Sequence, residues 1–152
     1  QVLLGFNYRM SDIHASLGNS QIKRLDKFIK KRKLIAKRYD NFFRNIRSFE
    51  PLNTINDANS SYHLYVVKLK NKILRRNFFI YMKKNKVNLN IHYLSIDNHP
   101  YYKDLNIKKI DISNWIEISN KMISLPIFFD LTITQQKKIF LLINKFIKQK
   151  NL

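Results

Sequence analysis

Between Ser11 and Ile46 apolar residues recur mostly at steps of three and four: Ile13, Leu17, Ile22, Leu25, Phe28, Ile29, Ile35, Tyr39, Phe42, Phe43 and Ile46. That spacing gathers them on one side of a helix turning 3.6 residues at a time. It is the longest regular pattern in the chain, so the rest of the fold has to pack against it. Gly18 and Asn19 are the expected break, giving a short helix followed by a long one. Arg32 interrupts the stripe at a place from which a guanidinium can reach across to a partner chain. The densest basic run, Lys27 to Arg38, shares its turns with regular apolar positions and so reads as the wet face of a packed helix.

Downstream the period changes. Pro51 to Ser61, with Asn53, Asn56, Asp57 and Asn59, reads as a polar connection. Ser61 to Leu69 is rich in aromatic and β-branched residues and is expected to be a strand. A helix is predicted from about Ile73 to Lys84. It is followed by a strand from Val87 to Tyr93, whose alternation (Val87, Leu89, Ile91, Tyr93) packs one face and leaves the other polar. A loop around Asn98 to Asp104 leads to a helix from Ser113 to Met122. Ser124 to Ile127 is extended, because the residue before Pro126 is pushed out of helix. Thr132-Ile133-Thr134-Gln135 is a capping-box pattern that opens a last helix running through Ile147. The expected architecture is α/β, with long N-terminal helices followed by a small β–α–β core with flanking helices.

The chain has 152 residues, 45% apolar and 13% aromatic, which is enough to bury a core and excludes disorder. The absence of cysteine excludes a disulfide framework and thiolate metal sites. No stretch approaches the roughly 18 apolar residues of a membrane span, and no signal peptide is visible. A cytoplasmic protein without a membrane partner is expected. A net charge of +19 points to nucleic acid or an anionic surface. The lysines are spread along the chain, however, amid abundant asparagine and isoleucine, so no nucleic-acid partner is expected. There is no Gly-rich phosphate loop, no histidine pair at metal-ligand spacing with acidic support, and no Ser–His–Asp arrangement. No metal site is expected. The chain starts at Gln1 rather than Met, and is expected to be the C-terminal part of a longer enzyme.

The stretch Gly5-Phe6-Asn7-Tyr8-Arg9-Met10-Ser11-Asp12-Ile13-His14-Ala15-Ser16-Leu17-Gly18 reads as a loop ending in a helix start. Ser11 or Asp12 can cap the helix amides. Asn7 and Arg9, standing ahead of a positive helix end, suit an anionic group such as a phosphate. A polar loop leading into a core helix is the alternative that local physics leaves open.

With Gln21-Ile22-Lys23-Arg24-Leu25-Asp26, this stretch resembles a long segment of the DegT/DnrJ/EryC1/StrS sugar aminotransferases. Phe6 and Ser11-Asp12-Ile13-His14 are similar to the branch that makes UDP-4-amino-4,6-dideoxy-N-acetyl-altrosamine, a pseudaminic acid precursor. Further resemblances follow in the family's order: Ser60-Ser61-Tyr62-His63-Leu64-Tyr65-Val66, Asn90-Ile91-His92-Tyr93, Pro100-Tyr101-Tyr102, Ile123-Ser124-Leu125-Pro126, and Leu131-Thr132 with Gln136.

The resemblance implies the small C-terminal domain of a pyridoxal-phosphate-dependent, fold-type I aminotransferase. Residues 1–50 would be a phosphate-loop and long-helix segment linking from the large domain, and 51–152 the small α/β domain. It implies pyridoxal 5′-phosphate as cofactor, a UDP-linked 4-keto-6-deoxy sugar as substrate, glutamate as the expected amino donor, and a homodimer. Asn7 is implied to reach the cofactor phosphate of the neighbouring subunit; Arg9, His92 and Tyr93 are implied to bind substrate. No lysine here resembles the family's Schiff-base motif, so no catalytic residue is assigned, and the chain alone is expected to be inactive and poorly soluble or self-associating. His63 reads as a satisfied structural histidine, and His14 as a packing or interface group. Leu94-Ser95-Ile96-Asp97-Asn98-His99-Pro100 departs from the family's usual loop, which puts the exact sugar in doubt. Two rival readings are a dehydratase using the same cofactor and an inactive fragment serving as an interaction or oligomerisation module.

Overall fold

The computed structural model describes residues 9–52, 58–93, 95 and 111–152. In chain order the described elements are α1 (Asp12–Ile22), α2 (Leu25–Phe43), β1 (Phe49–Pro51), β2 (Tyr65–Leu69), α3 (Lys72–Lys84), α4 (Ser113–Ser119), β3 (Met122–Leu125) and α5 (Ile133–Lys150). Their order and content are those of an α/β domain, as expected.

Ser11 is the cap of α1, its hydroxyl accepting from the His14 backbone N–H at 3.4 Å. The break between the first two helices falls at Lys23 and Arg24 rather than at Gly18 and Asn19. A Cβ at Gly18 would meet nothing within 4 Å, so the helix passes through it at a propensity cost of about 1 kcal/mol. At the actual break the Arg24 N–H folds back to the Gln21 carbonyl at 3.0 Å, and the Arg24 guanidinium lies 5.7 Å above the Phe28 ring. The change of direction lets α2 turn Ile35, Ala36, Tyr39 and Phe43 into the core, whereas α1 buries nothing. Lys27, Lys30 and Lys37 remain exposed on the wet face of α2, whereas Lys31, Arg32, Lys33 and Arg38 of the same basic run are half-buried.

The sheet is antiparallel, in the order β1-β2-β3, with Phe49 opposite Leu69, Tyr65 opposite Leu125 and Val67 opposite Ile123. β2 alternates, burying Tyr65, Val67 and Leu69; β3 is buried at every position. Asn71 caps α3 by accepting from the Leu74 N–H at 2.8 Å, and the predicted capping box between Thr132 and Gln135 opens α5.

Three boundaries differ from expectation. β2 starts at Tyr65, because Tyr62 takes a left-handed backbone (φ 48°) that turns the chain just before it. Val87 to Tyr93 is an extended segment joined to β3 by a single bridge, Asn90 to Ser124, so the second arm of the β–α–β unit is not a full strand. The helix from Ser113 ends at Ser119, and Met122 is instead drawn into β3 by pairing with Lys68. β1 is not among the expected elements, and only its last residue, Pro51, falls in the predicted connection; at three residues ending in proline it is too short to show alternation and sits at the sheet edge, where proline is tolerated.

Aromatic rings join the helices to the sheet. Tyr39 of α2 stacks on Tyr65 at 4.6 Å, and Phe42 stacks on Phe140 of α5 at 4.2 Å. Phe49, Phe78 and Phe146 continue the packing from β1 through α3 to α5. Polar ties are few and buried. The Tyr39 hydroxyl donates to the Pro126 carbonyl at 3.0 Å, and the Gln136 amide donates to the Ile35 carbonyl at 2.9 Å. No helix among the described residues is long and apolar enough to cross a membrane.

Gln136→Ala removes the buried amide bond that ties α5 to the Ile35 carbonyl of α2, which keeps its helical partner, and leaves a space in the core, so it is expected to destabilise the fold by about 1–3 kcal/mol, read from the urea midpoint. Burial holds the hydroxyls of Tyr39 and Tyr65 protonated above the ordinary tyrosine range, with the Asp40 carboxylate adding to the effect at Tyr65. Above a pH of about 10 the unfolded chain releases tyrosine protons that the folded chain retains, so folding stability falls as pH rises. Tyr65→Phe should flatten that alkaline decline in a denaturation series from pH 8 to 11; an unchanged slope would show that Tyr65 is not its source.

Candidate functional site

His92 is the best-defined of the sequence-selected residues. It follows the Asn90 bridge, which is closed on both sides: the Ser124 N–H donates to the Asn90 carbonyl at 2.8 Å and the Asn90 N–H to the Ser124 carbonyl at 3.3 Å. This seats the half-buried His92 beside β3, with its Nδ1 2.9 Å from the Ser124 hydroxyl. Ser124 is itself buried, so this hydrogen bond fixes the ring and leaves Nε2 as the imidazole's second polar atom. Tyr93 is 69% exposed and meets the His92 ring edge-on at 5.0 Å. The structure thus brings these two residues together at the end of the extended segment.

His92, but not Tyr93, lines a cavity of about 280 Å³ whose polar lining comes from His63, Asn88, Asn90, His92 and Ser124, with Phe128 among its apolar residues. The extended segment explains the grouping. Asn88, Asn90 and His92 alternate onto one side, while Val87 and Leu89 are buried on the other. His63, read from sequence as a satisfied structural histidine, is instead exposed and lines this cavity, because the turn at Tyr62 holds it outside the sheet. Asn88, Asn90 and Phe128 were not singled out in the sequence. The available signal was the polar half of the Val87–Tyr93 alternation.

Arg9 is exposed two residues before the Ser11 cap of α1. Asn7 lies outside the described residues, as do Asp97 and Pro100-Tyr101-Tyr102. His14, on the exposed first turn, has its Nδ1 2.8 Å from the Ser11 hydroxyl and so belongs to the cap. Arg32, expected to reach a partner chain, is half-buried, and its Nε is buried without a hydrogen-bond partner among the described residues. No group of three or more His, Cys, Asp or Glu among the described residues could hold a metal ion.

A second cavity, about 320 Å³, lies between α2 and the β1–β2 pair and is bordered by Asp40, Ser60, Tyr62 and Tyr65. There the Tyr65 hydroxyl donates to the Asp40 carboxylate at 2.6 Å, an arrangement that joins α2 to β2.

Residues 1–144 match the model of the DegT/DnrJ/EryC1/StrS aminotransferase family. The spore coat polysaccharide biosynthesis protein SpsC of Bacillus subtilis is 32% identical over 129 residues, covering 82% of this chain and 33% of that protein. A UDP-4-amino-4,6-dideoxy-N-acetyl-beta-L-altrosamine transaminase of Campylobacter jejuni is 28% identical over 138 residues, covering 90% and 36%. Among solved structures, Helicobacter pylori PseC, an aminotransferase involved in the biosynthesis of pseudoaminic acid, superposes with a TM-score of 0.82 at 25% identity, covering 97% of this chain and 40% of that one. The chain spans about a third of the length of the curated relatives it matches. It belongs to the DegT/DnrJ/EryC1/StrS aminotransferase family.

Proposed function

We propose that this chain is the C-terminal part of a cytoplasmic, homodimeric nucleotide-sugar aminotransferase that uses pyridoxal 5′-phosphate. In this reading it moves an amino group from glutamate to a UDP-linked 4-keto-6-deoxy sugar, for a surface glycan or a pseudaminic-acid-type sugar. Residues 1–50 form the segment that enters from a large domain, and 51–152 the small domain. The observation that carries the reading is the family match, continuous from the Asn7 loop to α5.

The chemistry of the two residues that precede α1 in sequence supports an anionic ligand there. Asn7 offers a carboxamide and Arg9 an exposed guanidinium just before the positive end of α1. Bound pyridoxal phosphate supplies an electron sink for breaking the bond to hydrogen at the amine-bearing carbon. Asn7 donates to the phosphate, and Arg9 pairs with anionic or polar groups of the substrate. His92, held by Ser124, presents Nε2 to the sugar, and the exposed Tyr93 walls the site beside it.

A chimera joining this chain to the large domain of the Campylobacter relative tests the reading. It should bind pyridoxal phosphate and transfer the amino group of glutamate to the keto-sugar. Arg9→Ala is expected to lower kcat/KM about tenfold or more, as loss of a charge-assisted hydrogen bond does. Asn7→Ala should weaken cofactor retention measured by absorbance after dialysis. Dehydration of the sugar in place of amination would move the protein to the dehydratase reading. Cofactor binding without turnover of any 4-keto sugar would overturn both.

The exposed apolar face of α1 favours a second role as an oligomerisation module. Ile13 and Leu17, one turn apart on that face, are 82% and 57% exposed on a helix that buries nothing of its own. Ile13→Asp with Leu17→Asp should reduce self-association in sedimentation velocity. Unchanged association would place the contact elsewhere.

A further inference from the structure

We propose that the outer face of the helix layer formed by α2, α5 and α3 is a docking surface for an anionic lipid bilayer. Such attachment is separate from the aminotransferase reading and stands without it. The expectation of no membrane partner rested on the lack of a spanning segment, which surface binding does not need.

Folding sets the three helices side by side. α5 lies between the other two, joined to α2 by the stacked rings of Phe42 and Phe140 and to α3 by Phe78 and Phe146. Each helix turns its buried stripe inward: Tyr39 of α2 onto Tyr65, Phe78 of α3 onto Phe49, and Leu142 and Ile143 of α5 into the same core. The opposite stripes therefore share the outward side of the layer.

Those stripes repeat one design. On α5, Leu141 is 62% exposed, with Lys137 and Lys138 a turn before it and Lys145 and Lys148 one and two turns after, all exposed. On α3, Ile80 is 42% exposed among Arg76, Lys83 and Lys84. On α2, Leu34 is 52% exposed between Lys30 and Lys37. None of the chain's 10 acidic residues lies in α3 or α5. On α2, Asp40 is engaged by the Tyr65 hydroxyl, and Asp130 borders the hollow beside Leu34, so the field is strongest over α3 and α5. Both ion pairs among the described residues, Lys68–Glu50 and Lys121–Glu117, lie off these helices.

This combination separates a bilayer from a nucleic acid. A nucleic acid would use the cations and gain most from aromatic stacking, leaving the aliphatic side chains without a partner. A bilayer uses both. The lysines meet lipid phosphates, while Ile80 and Leu141 enter the boundary between headgroups and acyl chains. The lysine stems cover apolar surface as their ammonium groups reach outward.

Vesicle flotation tests this, because bound protein rises with the vesicles whereas self-associated protein sinks. The 152-residue chain and the chimera described above are both used. Each is expected to float with vesicles of equimolar phosphatidylcholine and phosphatidylglycerol, to stay down with phosphatidylcholine alone, and to be released as salt rises. Lys138→Gln with Lys145→Gln should lower the partition coefficient about tenfold or more. Ile80→Ser with Leu141→Ser leaves every charge in place and should lower it about fivefold or more. All four positions are exposed, and circular dichroism reports whether each variant is folded. Ile13→Ser with Leu17→Ser should leave flotation intact. An unchanged partition for the Ile80–Leu141 variant would reduce the attraction to net charge and overturn the proposal. So would absence of flotation, equal flotation with neutral vesicles, or loss of binding on changing Ile13 and Leu17. Flotation of the chain but not of the chimera would mean that a large domain covers the face, with the same result. Retention of duplex DNA by the same lysines without flotation would make the face a nucleic-acid surface instead.

Discussion

The burial of Tyr39 is the interaction on which the rest of the structure depends. Its ring stacks on Tyr65 of β2, and its hydroxyl donates to the carbonyl of Pro126, immediately after β3. One side chain thereby fixes the long helix to the ends of two neighbouring strands. Burying such a ring contributes about 1.5–3 kcal/mol from area alone, and the hydrogen bond prevents the hydroxyl from becoming an unpaired buried group. The next residue, Asp40, accepts from the Tyr65 hydroxyl, so two successive positions of α2 grip the same strand end. That end is where His63, Pro126 and the Asn90–His92 segment converge.

The site also follows from a conflict that β3 has to resolve. All four of its residues are buried, yet one is Ser124. A buried hydroxyl needs a partner, and the His92 imidazole supplies it from the adjoining segment. A valine at position 124 would suit the packing but leave His92 free to rotate. The serine therefore exchanges some apolar burial for a fixed imidazole at the rim of the cavity.

Much of this was legible in the sequence, and the failures share a cause. The α2 stripe, the Asn71–Lys84 region and the Thr132 capping box are signals repeated over several residues, and the structure follows them. The break at Gly18 and the end of the helix at Ser119 were misplaced because each depends on distant packing: α2 turning toward the core, and Met122 pairing with Lys68. The alternation separated a buried from a polar side from Val87 to Asn90 but failed at Tyr93, which is exposed, and alternation cannot report how many hydrogen bonds a segment makes. His63 was misjudged for a related reason. The motif around it looks like continuous strand, and only the left-handed Tyr62 places it outside the sheet. Asn7 and Arg9 were chosen through family resemblance rather than local physics.

α1 poses the remaining physical problem. It has 11 residues, none of them buried, and isolated helices shorter than about 12–15 residues are marginal in water. Its cap at Ser11 contributes about 1 kcal/mol, and Gly18 costs about as much again relative to alanine. Local terms therefore nearly cancel, and α1 gains stability from a surface that covers Ile13 and Leu17, which share one face. On the proposed reading, assembly and cofactor binding are linked through one helix. A surface that buries α1 stabilises the helix whose positive end the phosphate meets, and a phosphate bound at that end stabilises the helix in return.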